Sequence, residues 1–403
     1  MNGRQTVCIV GGGPAGMVLA LLLARQGVPV TVLEAARDFE RSFRGDTLQP
    51  AILELLAQLG LAAPLLRLPH TRAYRAQLVR AGTRQTLADF SGLRTPYPYL
   101  TVMAQSRFLA FLAGELAAYP HARVELGARV EGLLEEDGAV RGVRYRQGDG
   151  PRELRTDLTV GCDGRFSKVR GLAGLALRRL SPGQDVLWFS LPRLAGDPHG
   201  SIDLHLWGAH CVVTTDHGGR WQVGYSIARG GYAQARARGL SPIREAVAQT
   251  VPWLAARVQG LTDWKQLHLL AVEISRVRRW WRPGLLLIGD AAHPISPVGG
   301  SGINMAVQDA VAAANLLCGP LRAGRLGQRH LARVQRARAW QIAVMQSQQV
   351  LQERGAEGWT LHVPPTFLRL LHALPALRHV PGYLIAYGVR PVRLSRRWVR
   401  ARS

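Results

Sequence analysis

The apolar residues of the first 34 positions form two short runs and one long one. Residues 7–10 are an apolar run that ends at a glycine-rich turn, and a long apolar stretch then continues to Arg25. A second short run, residues 30–33, ends at the acid Glu34. Short apolar runs bounded by turn residues are typical of buried strands, whereas a long run is typical of a buried helix. The pattern therefore predicts strand, helix and strand in that order.

The pattern changes over residues 185–227. Polar and apolar residues alternate there in four short runs separated by turns, which predicts an antiparallel sheet with two different faces. In residues 201–207 the alternation puts Asp203, His205 and Trp207 on one face and the intervening apolar residues on the other. This part of the chain therefore predicts a second, antiparallel unit.

Other segments carry hairpin or helix signals. A strand or hairpin is predicted at 74–87, and a hairpin is predicted between 139–146 and 153–160, across a Gly-Asp-Gly turn. Ser106 is a predicted N-cap for a helix over 108–119. Helical spacing returns at 243–259, 325–352 and 365–374. On the second of these helices, three arginines predict one solvated basic surface: Arg333, Arg336 and Arg338.

Composition adds a strong positive charge to this picture. The 403-residue chain is 47% hydrophobic and carries a formal net charge of +24, with only Lys168 and Lys265 as lysines. The arginines are spread through every segment, which favours a solvated surface over a specific nucleic-acid site. Residues 390–400 are denser in arginine and include Trp398, so weak contact with an anionic membrane surface is an open interpretation.

Neither the cysteines nor the first residues indicate a metal site or a targeting segment. The four cysteines are far apart and form no C-x-x-C pair, so no metal site is predicted. No signal peptide precedes the first strand, and no apolar run approaches about 18 residues, the length of a membrane span. We therefore expect a cytoplasmic protein.

The turn after the first strand predicts a dinucleotide site. Gly11, Gly13 and Gly16 read as G-x-G-x-x-G, in which the first glycine permits a tight turn, the second admits a pyrophosphate and the third allows close packing. The following helix offers free N–H groups to phosphates. Glu34 lies where a carboxylate can accept a hydrogen bond from ribose. The alternative is a glycine-rich turn in another α/β fold.

Two later strands also end in an acid beside glycine. One runs into Asp163-Gly164, and the other runs into Gly289-Asp290 and then through the glycines of 299–302 into a long helix. An acid at a strand end can bind a ligand hydroxyl, although an ordinary Asp-Gly turn is the alternative. Arg44, Gln105 and Arg107 stand near strand ends and are candidate phosphate or ribose contacts; an exposed loop position is the alternative for Arg44.

Together the three junctions resemble those of the class A flavoprotein monooxygenases, the FAD-dependent aromatic hydroxylases of the para-hydroxybenzoate hydroxylase fold. The resemblance covers roughly the first 320 residues. It implies an α/β fold in which a Rossmann-like FAD-binding domain is interleaved with an antiparallel-sheet substrate domain, with helices at the C-terminus. We expect FAD-binding segments at 1–73, 101–180 and 276–322, substrate-domain segments at 74–100 and 181–275, and a helical region at 323–403.

The resemblance also implies which residues contact the cofactor. Glu34 would hold the adenosine ribose, Asp290 the ribitol, and Pro297 would lie beside the isoalloxazine ring. Ser301 is a departure, because many members have glutamine between these glycines. The implied FAD contacts are Gly11, Gly13, Pro14, Ala15, Gly16, Glu34, Ala35, Arg44, Gln105, Arg107, Val130, Asp163, Gly164, Gly289, Asp290, Pro297, Gly299, Gly300, Ser301, Gly302, Ile303 and Asn304.

The implied reaction is a hydroxylation. In the family, NADH or NADPH reduces FAD, O₂ adds at C4a, and the resulting hydroperoxide transfers one oxygen to an aromatic or other electron-rich substrate. A base would help a phenolic substrate, and His205 and Tyr225 are the candidates because the antiparallel sheet should roof the pocket. The alternative is that His205 is only a hydrogen-bonded residue of the sheet and not a base. We interpret His293 as structural, and Trp188 and Trp207 as either pocket or core residues.

Other functions stay open at this point. An FAD-dependent reductase or dehydrogenase would move hydride without inserting oxygen. A flavin halogenase is disfavoured because its W-x-W-x-I-P string is absent. A non-catalytic basic binder of nucleic acid or membrane is the remote alternative. The substrate, the choice of NADH or NADPH and the oligomeric state also stay open.

Overall fold

The structure is a computed structural model that describes residues 5–40, 46–148, 150–181, 184–208, 210–297, 300–354, 373–395 and 398. Arg44, Gly299 and residues 365–372 of the last predicted helix lie outside the described residues.

The strands of the described residues fall into five sheets. In chain order they are β1 Val7–Val10, β2 Val30–Glu34, β3 Thr47–Leu48, β4 Thr71–Ala73, β5 Arg75–Arg80, β6 Thr83–Asp89, β7 Leu100–Val102, β8 Ala122–Leu126, β9 Arg129–Glu136, β10 Ala139–Gln147, β11 Gly150–Arg155, β12 Leu158–Gly161, β13 Leu177–Ser181, β14 Asp185–Pro192, β15 Ser201–Trp207, β16 His210–Asp216, β17 Arg220–Ile227, β18 His268–Ala271, β19 Ile274–Val277, β20 Trp281–Arg282 and β21 Leu285–Leu287.

Helices connect and cover these sheets. They are α1 Pro14–Arg25, α2 Pro50–Gln58, α3 Ala62–Leu66, α4 Gln105–Leu116, α5 Lys168–Leu172, α6 Tyr232–Arg238, α7 Ser241–Thr250, α8 Ala255–Val258, α9 Gly302–Arg322, α10 Gln328–Arg354 and α11 His379–Tyr387, with short 3₁₀ turns at Pro252–Leu254, Trp264–Gln266, Gly289–Ala291 and Pro375–Arg378.

The central sheet has the order β20-β21-β12-β1-β2-β8 and is parallel except for the β20–β21 pair. Val7 of β1 pairs with Val30 of β2 and with Leu158 of β12. Helix α1 is buried along its length because α4 and α9 pack against it. Parallel strands end at the same edge, so the three sequence junctions meet there. The predicted strand–helix–strand start and the α/β fold class are confirmed.

The second large sheet has the order β18-β14-β17-β16-β15-β5-β6, in which only β15 and β5 pair in parallel. One face is covered by α7 and the Pro252–Leu254 turn, which bury Phe189, Val212 and Trp221. The other face carries Trp188 and Gln222, which line a cavity. Strands β14, β16 and β17 therefore present alternate residues to a helical layer and to the cavity.

Three local predictions are corrected. Strand β11 ends at Arg155, and Leu158–Gly161 joins the parallel sheet instead of the hairpin, because its apolar residues are buried between β1 and β21. The helix predicted at 243–259 is interrupted after Thr250 and resumes as the Pro252–Leu254 turn and α8, because Pro252 lacks an N–H and restricts the preceding residue. Helix α4 begins at Gln105, so Ser106 lies inside it and is not the N-cap.

The predicted basic surface of α10 is only partly correct. Arg333 and Arg336 are exposed, whereas Arg338 is fully buried. Arg338 lies on the apolar stripe of the helix with Val334 and Ile342, and its charge is balanced by the buried Asp309 of α9. Helical periodicity explains why Arg338 is buried while the other two arginines are exposed, because residues four apart share a face.

The C-terminal tryptophan does not project into solvent. Trp398 is buried, and its Nε1 donates to Asn315 Oδ1 on α9 at 2.8 Å. Asn315 Nδ2 in turn donates to the Arg393 carbonyl. This side chain therefore holds the end of the chain against α9. No helix in the described ranges combines the length and the apolar character that a bilayer span requires.

Candidate active site

The three glycines of the first turn have different geometric roles. Gly11 has φ +104°, and a Cβ there would lie 2.5 Å from the Cys162 carbonyl oxygen. A Cβ on Gly16 would overlap the Gly11 carbonyl oxygen. Gly13, in contrast, has open space where its Cβ would be. Gly11 and Gly16 therefore allow the backbone to close, while Gly13 leaves the turn accessible to a ligand.

Glu34 ties the end of β2 to the same turn. Its Oε2 accepts from the Gly12 N–H at 2.7 Å, and its Oε1 accepts from the Ala36 N–H at 2.8 Å. The carboxylate is buried and lines the cavity. A ribose placed beside the turn would therefore meet an acceptor that is already oriented.

Asp163 organises the second junction. Its Oδ1 accepts from the Ser167 hydroxyl at 2.5 Å, and its Oδ2 accepts from the Val169 N–H at 3.0 Å. Ser167 caps α5 by accepting from the Arg170 N–H. Burial raises the pKa of Asp163, although these hydrogen bonds act in the opposite direction.

Asp290 stands at the third junction, on the cavity wall. Arg165 faces it at 3.6 Å and also donates to the Ala271 carbonyl at 2.6 Å. Below the turn, the Gly289 N–H donates to Asp309 Oδ2 at 2.9 Å. The Gly-Asp turn is thus fixed from beneath by a buried carboxylate, which leaves Asp290 facing the cavity.

One cavity of about 700 Å³ joins the three junctions, a volume within the range of small-molecule sites. Its wall includes sixteen of the residues predicted from sequence. They are Gly11, Gly13, Pro14, Ala15, Glu34, Ala35, Gln105, Val130, Asp163, Gly164, Gly289, Asp290, Pro297, Gly300, Gly302 and Ile303.

Four other predicted contacts lie away from the wall. Gly16 packs behind the turn against Ile9. Arg107 points outward and donates to the Pro69 carbonyl. Asn304 is fully buried, where its Nδ2 donates to the Ala386 carbonyl of α11, and Ser301 is buried at the start of α9.

The antiparallel sheet supplies the far wall with Trp188, Thr215, His217, Gln222 and Leu270. Trp188 fits because its neighbour on β17 is Gly224, where a Cβ would lie 2.8 Å from the indole ring. His217 was not predicted from the sequence. The alternation of β16, extended two residues beyond Thr215, is the signal that could have found it.

His205 and Tyr225 are not brought to the cavity, and their assignment as bases is corrected. His205 is buried, bonds Thr214 Oγ1 through Nε2 at 3.1 Å and lies edge-on to Trp253. The Tyr225 hydroxyl bonds His210 Nδ1 at 2.9 Å. The side chains of His205 and Tyr225 lie on the sheet face that α7 covers. The apolar residues of β15 lie on the opposite face. Trp188 lines the cavity, whereas Trp207 is 49% exposed.

His205 is expected to make stability depend on pH. Burial, with a smaller contribution from the charge of Arg84, lowers the pKa of His205 to about 4. Its unfolded value is about 6.5, so the unfolded chain binds a proton first as the pH falls. His205 therefore supports the fold fully above about pH 6.5, and this contribution is lost as the pH falls towards 4. Between pH 7 and 5 the loss should be about 1–2 kcal/mol.

Urea unfolding at pH 7 and pH 5 tests this expectation. The His205→Gln variant keeps a donor for Thr214 but no titrating ring, so its free energy of unfolding should fall less between the two pH values. Equal losses in both proteins would show that His205 is not the responsible group.

His293 has a structural environment. Its Nε2 lies 2.6 Å from Asp309 Oδ2, and its ring packs against Trp280 with centroids 4.8 Å apart. Only 1% of the residue is exposed. It holds the chain after the Gly-Asp turn and does not reach the cavity wall.

Comparison with known proteins places this geometry in context. A family model described as an FAD binding domain matches residues 4–347. The chain is 37% identical to the 6-methylpretetramide 4-monooxygenase of Streptomyces rimosus, over 98% of this chain and 95% of that protein. It is 30% identical to the anhydrotetracycline monooxygenase of Streptomyces rimosus over 76% of this chain, and it spans 61% of that protein's length.

Solved structures agree on the fold. The p-nitrophenol 4-monooxygenase PnpA of Pseudomonas putida DLL-E4 superimposes with a TM-score of 0.79, covering 97% of this chain and 100% of that one. The sequence identity is 23%, so the similarity concerns the fold alone.

Proposed function

This chain belongs to the FAD-dependent aromatic monooxygenases, and from that membership we propose that it uses NADH or NADPH with O₂ to hydroxylate a fused-ring phenol. One observation carries the proposal: the glycine turn, Asp163 and Asp290 all border a single cavity that the antiparallel sheet closes. Such a cavity has a nucleotide end at the glycine turn and a reaction end near Pro297.

FAD fits this cavity because some residues of the wall offer hydrogen-bonding groups and others leave open space. Gly13 and the start of α1 offer room and N–H groups to a pyrophosphate. Glu34 is oriented to accept from the adenosine ribose, and Val130 and Gln105 border the same end. At the other end, Asp290 would accept from the ribitol, with Pro297 and Gly300 beside the ring.

When bound and reduced, FAD supplies the activation of O₂ and the transfer of one oxygen atom to the substrate. The chain's own part is to orient the aromatic ring and to exclude water, which would divert the reaction to H₂O₂. Trp188, Leu270 and Ile295 give the cavity apolar surface for this purpose. Gln222 and Thr215 add hydrogen-bonding groups on the same wall.

The substrate class follows from two considerations. A wall that combines the apolar surface of Trp188 and Leu270 with the hydrogen-bonding side chain of Gln222 suits an aromatic ring that carries hydroxyls. Two relatives are monooxygenases by name, and their names, 6-methylpretetramide 4-monooxygenase and anhydrotetracycline monooxygenase, point to substrates of the tetracycline type. We therefore infer a fused-ring phenol in preference to a single-ring one.

Labelled oxygen tests the proposed function. The FAD-loaded protein is given NADH or NADPH, ¹⁸O₂ and a panel of single-ring and fused-ring phenols. We expect fused-ring phenols to accelerate the oxidation of the nicotinamide cofactor and to gain one ¹⁸O atom, with little H₂O₂ released.

Product without ¹⁸O would contradict the proposal and favour a reductase or dehydrogenase. Binding to nucleic acid that falls steeply with salt and ignores FAD would favour the non-catalytic alternative. Heat-denatured protein with free FAD controls for oxidation by the flavin alone.

A further inference from the structure

An imidazole and a carboxylate face each other in the cavity wall. His217 Nε2 lies 3.1 Å from Asp46 Oδ2, and their side chains are 17% and 13% exposed. Both residues line the cavity. His217 Nε2 is buried and forms no hydrogen bond among the described residues, so Asp46 is a close acidic neighbour of this nitrogen.

The pair lies at the reaction end of the cavity. Thr47 follows Asp46, and its Oγ1 lies 3.4 Å from the position that a Cβ on Gly300 would take. Gln49 Nε2 donates to the Gly300 carbonyl at 2.5 Å, which fixes this loop to the glycine segment before α9. His217 therefore faces the region near Pro297 and Gly300 and not the glycine turn.

The other titratable groups near this end are already engaged. Asp163 accepts from Ser167 and Val169, and Asp290 is paired with Arg165. Among the described residues that line the cavity, His217 is the only histidine. An imidazole is also the side chain best suited to exchange a proton near neutral pH.

We propose that His217 is a catalytic base that removes the hydroxyl proton of the aromatic substrate, with Asp46 as its positioning residue. This inference rests on the proposed function and names the group that prepares the substrate. Asp46 favours a proton on Nε2, which leaves Nδ1 as the acceptor.

The proton transfer balances within the site. The substrate O–H bond breaks, its electron pair stays on the phenolate oxygen, and an N–H bond forms on Nδ1. The Asp46 carboxylate offsets the charge of the imidazolium. The phenolate is a better nucleophile than the phenol, so its ring accepts oxygen more readily, and the proton returns when the product leaves.

Two variants and one control test the base by kinetics. His217→Gln should lower kcat/KM for hydroxylation by about 100-fold or more, the effect typical of a positioned base, and Asp46→Asn by a smaller factor. FAD content and the rate of FAD reduction should not change. The loss should shrink for more acidic phenols, which need less help to ionise. His210→Gln is the control, because His210 begins β16 and lies on the sheet face opposite the cavity, so this variant should retain wild-type hydroxylation.

Alizarin gives a readout that does not depend on turnover. Its colour shifts to longer wavelength than the flavin band when its hydroxyl ionises. Just below the pH at which free alizarin ionises, the wild-type holoenzyme should bind the anion and His217→Gln the neutral dye.

Equal binding of anionic alizarin by the wild type and His217→Gln would overturn the proposal. A wild type that binds only the neutral dye, or that binds no dye, would also overturn it. A wild type that binds the anion but inserts no ¹⁸O would instead contradict the proposed function and leave the proton-accepting role of His217 standing.

Discussion

Replacing Gly13 by valine is expected to weaken FAD binding strongly without unfolding the chain. The space where a Cβ would stand is open in the folded protein, so the first carbon of the new side chain meets no neighbouring residue within 4 Å. That space is the approach to the turn on which a pyrophosphate would lie. We expect FAD affinity to fall by about 100-fold or more, which corresponds to about 2.7 kcal/mol.

Gly16→Val separates this effect from one on folding. A Cβ at Gly16 would overlap the Gly11 carbonyl and come within 3.1 Å of Ile9 Cγ2, so this variant should lose the folded state itself. Gly114→Val is the matched control, because that position is exposed and open but lies on α4 away from the cavity. FAD retained per chain and thermal unfolding of the cofactor-free protein measure the two effects. Full FAD occupancy in Gly13→Val would contradict the assignment of the turn.

Replacing Arg338 by methionine is expected to lower the free energy of unfolding by about 3–5 kcal/mol, because it removes the arginine that pairs with the buried Asp309 carboxylate. Arg338 Nε donates to Asp309 Oδ1 at 2.6 Å. Its other nitrogens donate to Gln308, Gln341 and the Met305 carbonyl. Both charged side chains are fully buried.

The pKa of Asp309 shows how the network is balanced. Burial acts to raise this pKa, but the charges and hydrogen bonds of His293 and Arg338 outweigh it and hold the pKa at about 2. Because Asp309 also accepts from the Gly289 N–H, its displacement would disturb the turn that carries Asp290. Arg338→Met should therefore weaken FAD binding as well as the fold.

Arg336→Met is the matched control, since it removes an exposed arginine from the same helix and should change stability by no more than about 0.5 kcal/mol. Urea unfolding and FAD titration of the two variants provide the comparison. Similar stabilities for Arg338→Met and the wild type would show that the ion pair contributes no net free energy to the fold.

Much of the site follows from local sequence. The glycine turn, Glu34, Asp163-Gly164 and Gly289-Asp290 were each predicted from a strand followed by a turn, and the structure brings them to one cavity. The predicted membership of the flavoprotein monooxygenases and the α/β fold class are confirmed by the family match and the structural comparison. The domain boundaries stay predictions.

The candidate base could not be identified from local sequence. Alternation correctly separated His205 from its apolar neighbours on β15, but it could not say which face would meet the cavity. That choice depends on α7, which follows in the chain and covers the His205 face. His217, beyond the end of β16, meets Asp46 from a segment 171 residues earlier, so no local pattern marks the pair.

The sequence by itself determined the order of strands and helices, the glycine turn and the acids at the strand ends. These depend on hydrophobic period and turn chemistry, which act between residues a few positions apart. Only the tertiary structure decided that Arg338 is buried while Arg336 is exposed, and that His217 rather than His205 faces the cavity. Burial of a charge and the orientation of a sheet depend on partners distant in the chain, and these become neighbours only when the elements pack.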